Sequence, residues 1–193
     1  MGWDPDTTRI AVPAYPCLID QNHTVARLYD MINVPAAVWI DEQGKIVRPP
    51  DSAGACDAFR AMDRTTFRMP AEAAAEARQQ RRSYFEALKD WIENGAASRY
   101  VVPPDDLRRL MSGPDQDSEL AASRFRLGLE LDRLGRTTEA QAQFAEAKRL
   151  RPESWSYKRQ AWELEQPGKA AGPEFWSAVD ALGDKCYYPP SVL

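Results

Sequence analysis

Three cysteines and one histidine are the residues of this sequence most suited to nucleophilic or metal chemistry: Cys17, Cys56, Cys186 and His23. A thiolate becomes reactive beside a cation or a helix N-terminus. His23, six positions after Cys17, is the one imidazole able to supply that help. Cys17 and His23 are therefore the catalytic candidates, and they require a loop that folds back on itself. The simpler reading makes Cys17 a buried small hydrophobe and His23 a solvent-exposed residue of a first helical turn. Cys56 sits in a Gly/Ala-rich stretch and Cys186 in a Tyr/Pro-rich one, with no base near either. An odd number of widely spaced cysteines forms neither a Cys-x-x-Cys pair nor a disulfide framework. Zinc would need clustered ligands, so no metal and no cofactor is expected. The sequence holds no Gly-rich phosphate loop, no Gly-x-Ser-x-Gly and no His-Glu-x-x-His.

Around these residues, Asp20 or Asn22 can cap a helix whose apolar positions Val25, Leu28, Tyr29 and Ile32 share one face and which stops by Asn33. Residues 34–40 form a continuous apolar run of the kind buried on both faces of a sheet. Asp41-Glu42-Gln43-Gly44 is a turn that returns the chain as a short strand, Lys45-Ile46-Val47-Arg48, ended by Pro49-Pro50. An amphipathic stretch around Phe59 and Met62 leads to Pro70, which opens a long helix over 71–94. Its stripe is Ala77, Tyr84, Phe85, Leu88, Trp91 and Ile92, and Asn94-Gly95 is its stop. Residues 96–118 read as a connector with one helical turn near Leu107 to Met111. Two further helices follow, from Trp155 to Leu164 and from Pro173 to Leu182. The six tryptophans of the chain read mainly as core.

Tyr15-Pro16-Cys17-Leu18-Ile19-Asp20, Val25-Ala26-Arg27-Leu28-Tyr29 and the run from Val34-Pro35 through Gly44-Lys45-Ile46-Val47 together carry a family pattern. Residues 15–50 resemble the C-terminal half of a thioredoxin-like domain of the TlpA/ResA type. The resemblance implies that Pro35, with Val34 before it, is a cis-proline facing a redox centre. The family's catalytic Cys-x-x-Cys precedes this half, and only 14 residues, none a cysteine, precede Tyr15. Further on, Leu127-Gly128, Leu131, Gly135, Ala140, Phe144, Ala147 and Pro152 fall where a tetratricopeptide (TPR) unit of about 34 residues prefers them, if the unit spans 121–154. Gly128 and Ala140 would let two antiparallel helices approach, Phe144 would fill the gap, and Pro152 would stop the second helix. Since about three repeats are normally needed for stability, a single unit must dock elsewhere, most simply on the 71–94 helix.

Composition limits the partners. Lys+Arg 25 against Asp+Glu 29 gives a net charge of −4, and neither half is basic, which argues against duplex nucleic acid or an anionic membrane. Apolar runs are far short of the roughly 18 residues that a spanning helix needs. The start of the sequence has no basic and apolar leader pattern, so a cytoplasmic protein is expected. The fold class is α+β: a partial thioredoxin-like segment (1–70), a long helix and connector (71–118), and an all-helical TPR-like module with an extended tail (119–193). The function expected is binding or accessory, without thiol catalysis. The alternative is a thiol-disulfide oxidoreductase of which this chain is a truncated form. A protein partner or self-association is expected through the sheet edge near Val38 and Ile40, unless residues 7–12 supply a third strand.

Overall fold

The structure, a computed structural model, describes residues 15–189 apart from Ser112 and Pro114; the strand considered over residues 7–12 lies outside them. In chain order the elements are α1 (Thr24–Leu28), β1 (Ala37–Ile40), β2 (Ile46–Asp51), α2 (Ala71–Asn94), α3 (Pro104–Leu110), α4 (Gln116–Arg133), α5 (Thr137–Leu150), α6 (Trp155–Glu165) and α7 (Pro173–Asp180). Short 3-10 turns lie at Asp57–Ala61, Gly95–Ala97 and Lys169–Ala171. The architecture is α+β, helices with a two-stranded antiparallel sheet.

The α4–α5 hairpin follows from local chemistry. The Asp115 carboxylate accepts the Ser118 N–H at 2.8 Å and caps α4. The helix ends in a Schellman motif, with the Arg136 N–H donating to Leu131 O and the Gly135 N–H to Asp132 O, and Gly135 at φ 74 takes the left-handed position this motif requires. Where the helices cross, a Cβ on Gly128 would lie 2.5 Å from a ring carbon of Phe144. The Phe144 ring fills that space and is fully buried. Small residues, Ala121 on α4 and Ala140 and Ala147 on α5, complete the contact. Ser154 caps α6, its hydroxyl accepting the Tyr157 N–H, and Tyr157 then stacks on Phe125 at 4.4 Å. The cover that the hairpin needs comes from α6 and from residues 20–33 rather than from α2.

The long helix instead covers the sheet. Trp39 of β1 is buried, donates its indole N–H to the Tyr84 hydroxyl at 3.0 Å and stacks on Trp91 at 4.9 Å. Behind Trp39 lies Arg48, only 2% exposed, which donates to an Asp51 carboxylate oxygen at 3.1 Å and to Tyr100 O at 3.1 Å. A buried guanidinium is tolerable when paired and hydrogen-bonded in this way. The turn expected over 41–44 forms, and within it the Asp41 carboxylate accepts the Gln43 and Lys45 N–H groups.

Several sequence expectations are corrected. The 34–40 run is not buried on both faces: Val34 is 60% exposed, Ile40 is partly exposed, and Trp39 alone of β1 is buried. β2 does not stop before Pro49-Pro50 but continues to Asp51, because a register shift between the Ala37–Asp51 and Trp39–Arg48 pairs takes up the residues that cannot donate to the ladder. On α2 the buried positions are Ala73, Tyr84 and Ala87, whereas Phe85 and Ile92 of the expected stripe face solvent. Among the described residues no helix is long and apolar enough to cross a membrane.

Candidate functional site

The residues before β1 are placed by capping and by docking. The Asp20 carboxylate accepts the Thr24 N–H at 2.8 Å and the Ala26 N–H at 2.9 Å, which starts the short α1. His23 takes a left-handed conformation at φ 53 ahead of it. Its ring hydrogen-bonds to Gln160 of α6 and meets Phe125 edge-on at 5.4 Å and Tyr157 at 6.1 Å. Arg27 donates to Glu119 of α4 at 2.9 Å, Asp30 pairs with Arg151, and Ile32 O accepts the Ser156 N–H at 3.1 Å. The segment therefore lies across the α4 and α6 faces.

This docking overturns two expectations about the candidate residues. His23 is half-buried against an aromatic pair rather than solvent-exposed, and Cys17 is exposed rather than a buried hydrophobe. The hydrogen-bond partner of His23 is Gln160, not Cys17. Cys56 is half-buried, Cys186 is exposed, and all three thiols are free. Among the described residues no group of His, Cys, Asp and Glu is arranged to hold a metal ion.

Where the segment turns into β1, the Val34–Pro35 peptide bond is cis. Pro35 and Ala36 form one wall of a cleft of about 260 Å³; Pro50–Ser52 at the end of β2, Arg151–Glu153 and Tyr188–Pro189 form the others. The polar groups of this cleft are already engaged. Asn33, 5% exposed, donates to Tyr187 O at 3.2 Å and accepts the Val34 N–H at 2.9 Å. The Ser52 hydroxyl donates to Ala55 O at 2.7 Å. Arg151, 4% exposed, lies between Asp30 and Glu153. Burial works against its charge, but the two carboxylates outweigh that and hold its pKa above the ordinary arginine value. Among the described residues no thiol lines the cleft, and its two hydroxyls, Ser52 and Tyr188, both donate to backbone carbonyls rather than to a base. Such a surface can hold an extended chain by shape and charge, with three carboxylates, Asp30, Asp51 and Glu153, around it.

Tyr188 in the cleft wall and Tyr187 behind it belong to a stretch that the sequence marks only as part of an extended tail. The available signal was two adjacent tyrosines ahead of prolines, an apolar cluster with no helical or strand period of its own. Tyr187 is 2% exposed, boxed by Trp155, Phe59 and Phe175. Tyr188 donates its hydroxyl to Val34 O at 3.1 Å, and burial pushes that hydroxyl up to about 12. Comparison with known protein families, curated proteins and solved structures finds no match for this chain.

Proposed function

We propose that the chain is a non-catalytic binding or accessory protein, built from a thioredoxin-like segment and a TPR-like helical unit, that uses the cleft beside Val34 and Pro35 to hold a protein partner. The observation that carries the reading is the chemistry of that cleft: it is open, it is shaped by both parts of the chain, and its polar groups are hydrogen-bonded without forming a nucleophile and base pair. The sequence agrees, since no two cysteines are closer than Cys17 and Cys56. The fit of the 15–50 pattern to a thioredoxin-like half and of the 121–154 spacing to a TPR unit supports the assignment of the two parts.

The test has two arms. In a disulfide-reduction assay on insulin, the purified chain should give the background rate. Peptides selected from a random library against the chain should lose binding on Ala36→Trp, which fills the cleft without touching the cores. Turnover that Cys17→Ser abolishes would overturn the reading in favour of an oxidoreductase, and selected peptides indifferent to Ala36→Trp would remove the cleft as the binding surface.

A further inference from the structure

The last described residues are held as a bound peptide is held. After α7 the chain turns at Gly183, and Asp184, Lys185 and Cys186 are exposed. The body of the protein then grips the backbone of the segment through side chains. The Asp57 carboxylate accepts two consecutive amides, Tyr187 N–H at 2.9 Å and Tyr188 N–H at 2.8 Å. Asn33 donates to Tyr187 O at 3.2 Å, and Arg60 donates to Lys185 O at 3.1 Å and Gly183 O at 2.9 Å. The Tyr187 ring enters an aromatic box, 4.3 Å from Trp155 and 4.9 Å from Phe59 between centroids. Tyr188 spans to Val34 O, and Pro189 reaches the cleft.

We propose that this seat is a recognition site for an extended Tyr-Tyr-Pro segment, filled within the chain by residues 187–189 and able to take the same segment from a second copy. The inference rests on the binding reading above only in that Tyr188 and Pro189 line the same cleft. Its sequence rule comes from the contacts. Two consecutive N–H groups must face Asp57, so neither of the first two positions accepts proline. The first side chain must fill the closed box and the second must carry a hydroxyl to Val34 O. Pro189, third in the segment, has no N–H to satisfy. Because these contacts join the segment to the rest of the molecule, an identical segment on another copy satisfies the same donors and acceptors, the condition for segment exchange. A short tether gives an effective concentration on the order of millimolar, so closure within one chain wins at micromolar protein, and exchange follows when a copy with a disabled tail meets a copy with a disabled seat.

The test mixes two full-length variants. Tyr187→Ala leaves a seat without its ring, and Asp57→Asn leaves a tail without its carboxylate anchor. Each alone should sediment as a monomer at tens of micromolar, and the equimolar mixture should give a dimer. A labelled peptide of residues 184–189 carrying Cys186→Ser serves as the second probe. It should bind the Tyr187→Ala chain saturably and the unsubstituted chain at least about tenfold more weakly, and a peptide with alanine at the Tyr187 position should not bind. A mixture that stays monomeric, or a peptide that fails to bind a Tyr187→Ala chain with native circular dichroism, overturns the proposal. If Tyr187→Ala does not fold, a specific protease site placed after Gly183 in the unsubstituted chain gives the answer: the cut segment should exchange with labelled peptide, and no exchange overturns it. None of these readouts measures thiol turnover or the Ala36→Trp effect, so failure here is separable from failure of the binding reading.

Discussion

Gly128→Ala is the substitution for which local propensity and packing give opposite answers. In the interior of a helix, alanine is favoured over glycine by about 1 kcal/mol, so the change should stabilise α4 if packing allowed it. It does not, because the new methyl would meet Phe144 ring carbons at 2.5, 2.7 and 3.2 Å, against an ordinary carbon contact of about 3.5–4.0 Å. The ring must move by about 1 Å, yet Phe144 is 0% exposed and has Phe125 5.1 Å away. Overpacking of this kind costs typically about 1–3 kcal/mol. Taking the upper end for a ring with no free side, the net is a loss of about 2 kcal/mol, or about 4–8 °C in Tm at this chain length. Thermal melts followed at 222 nm measure it. Gly128→Ala combined with Phe144→Leu should recover part of the loss, with a coupling above about 1 kcal/mol. A Gly128→Ala chain that melts at or above the unsubstituted chain would refute the close approach of α4 and α5.

Three other outcomes follow from the same contacts. Burial and then the neighbouring Tyr187 raise the Tyr188 hydroxyl to about 12 from 10.0; the fold favours its neutral form, so this contribution is whole below the unfolded value and is lost as pH rises from 10.0 to about 12. Tyr188→Phe should therefore move the alkaline unfolding midpoint upward, and a midpoint that falls would contradict it. The Ser118 amide holds the Asp115 carboxyl below its ordinary 3.8, so its contribution is present above that value and lost as pH falls through the depressed one; Asp115→Asn should flatten the acid limb of a stability profile. In the native chain Ellman's reagent should label Cys17 and Cys186 quickly and Cys56 slowly, assigned by single serine variants, and a protected Cys17 would contradict its placement.

What could be read from the sequence was local. The α4–α5 pair was visible because small and large residues recur at helical spacing, and Gly128 opposite Phe144 is a relation between positions of one hairpin. The 41–44 turn was visible because a glycine able to take positive φ closes it, while the amide contacts of Asp41 emerge only in the structure. The 71–94 helix was legible in extent but not in orientation: Tyr84, Phe85, Trp91 and Ile92 are equally apolar in sequence, and only Trp39, on a distant strand, selects Tyr84 and Trp91 for the interior. The same holds at the site. Nothing near Cys17 or His23 in sequence announces Phe125, Tyr157 and Gln160, which lie more than a hundred positions away and remove His23 from the thiol. Arg48 is placed in a strand by the sequence, but nothing local shows that Asp51, Tyr100 and the Trp39 ring close around it.

Neither the sheet nor the α4–α5 pair is covered by its own elements alone. A two-stranded hairpin is marginal in water, and a single antiparallel helix pair leaves one face of each helix open. Here the face of α4 and α6 is covered by residues 20–33, with His23 at the centre of the contact. The two parts should therefore unfold together, and His23→Asn tests this, because asparagine tolerates the φ of 53 that His23 adopts but is too short to reach the aromatic pair. Losing one partly buried hydrogen bond costs about 0.5–1.5 kcal/mol and losing the edge-on aromatic contacts about as much again. The expected loss is about 1–3 kcal/mol. Urea unfolding should be followed by pulsed hydrogen exchange of two sets of amides, those of α4 and α5 for the helical pair and those of β1 and α2 for the sheet and its cover. If the docked segment ties the parts into one cooperative unit, both midpoints move down by the same amount. A shift in the α4 and α5 amides alone, with those of β1 and α2 unmoved, would mean that the sheet and the helical pair fold independently and that His23 serves only one of them.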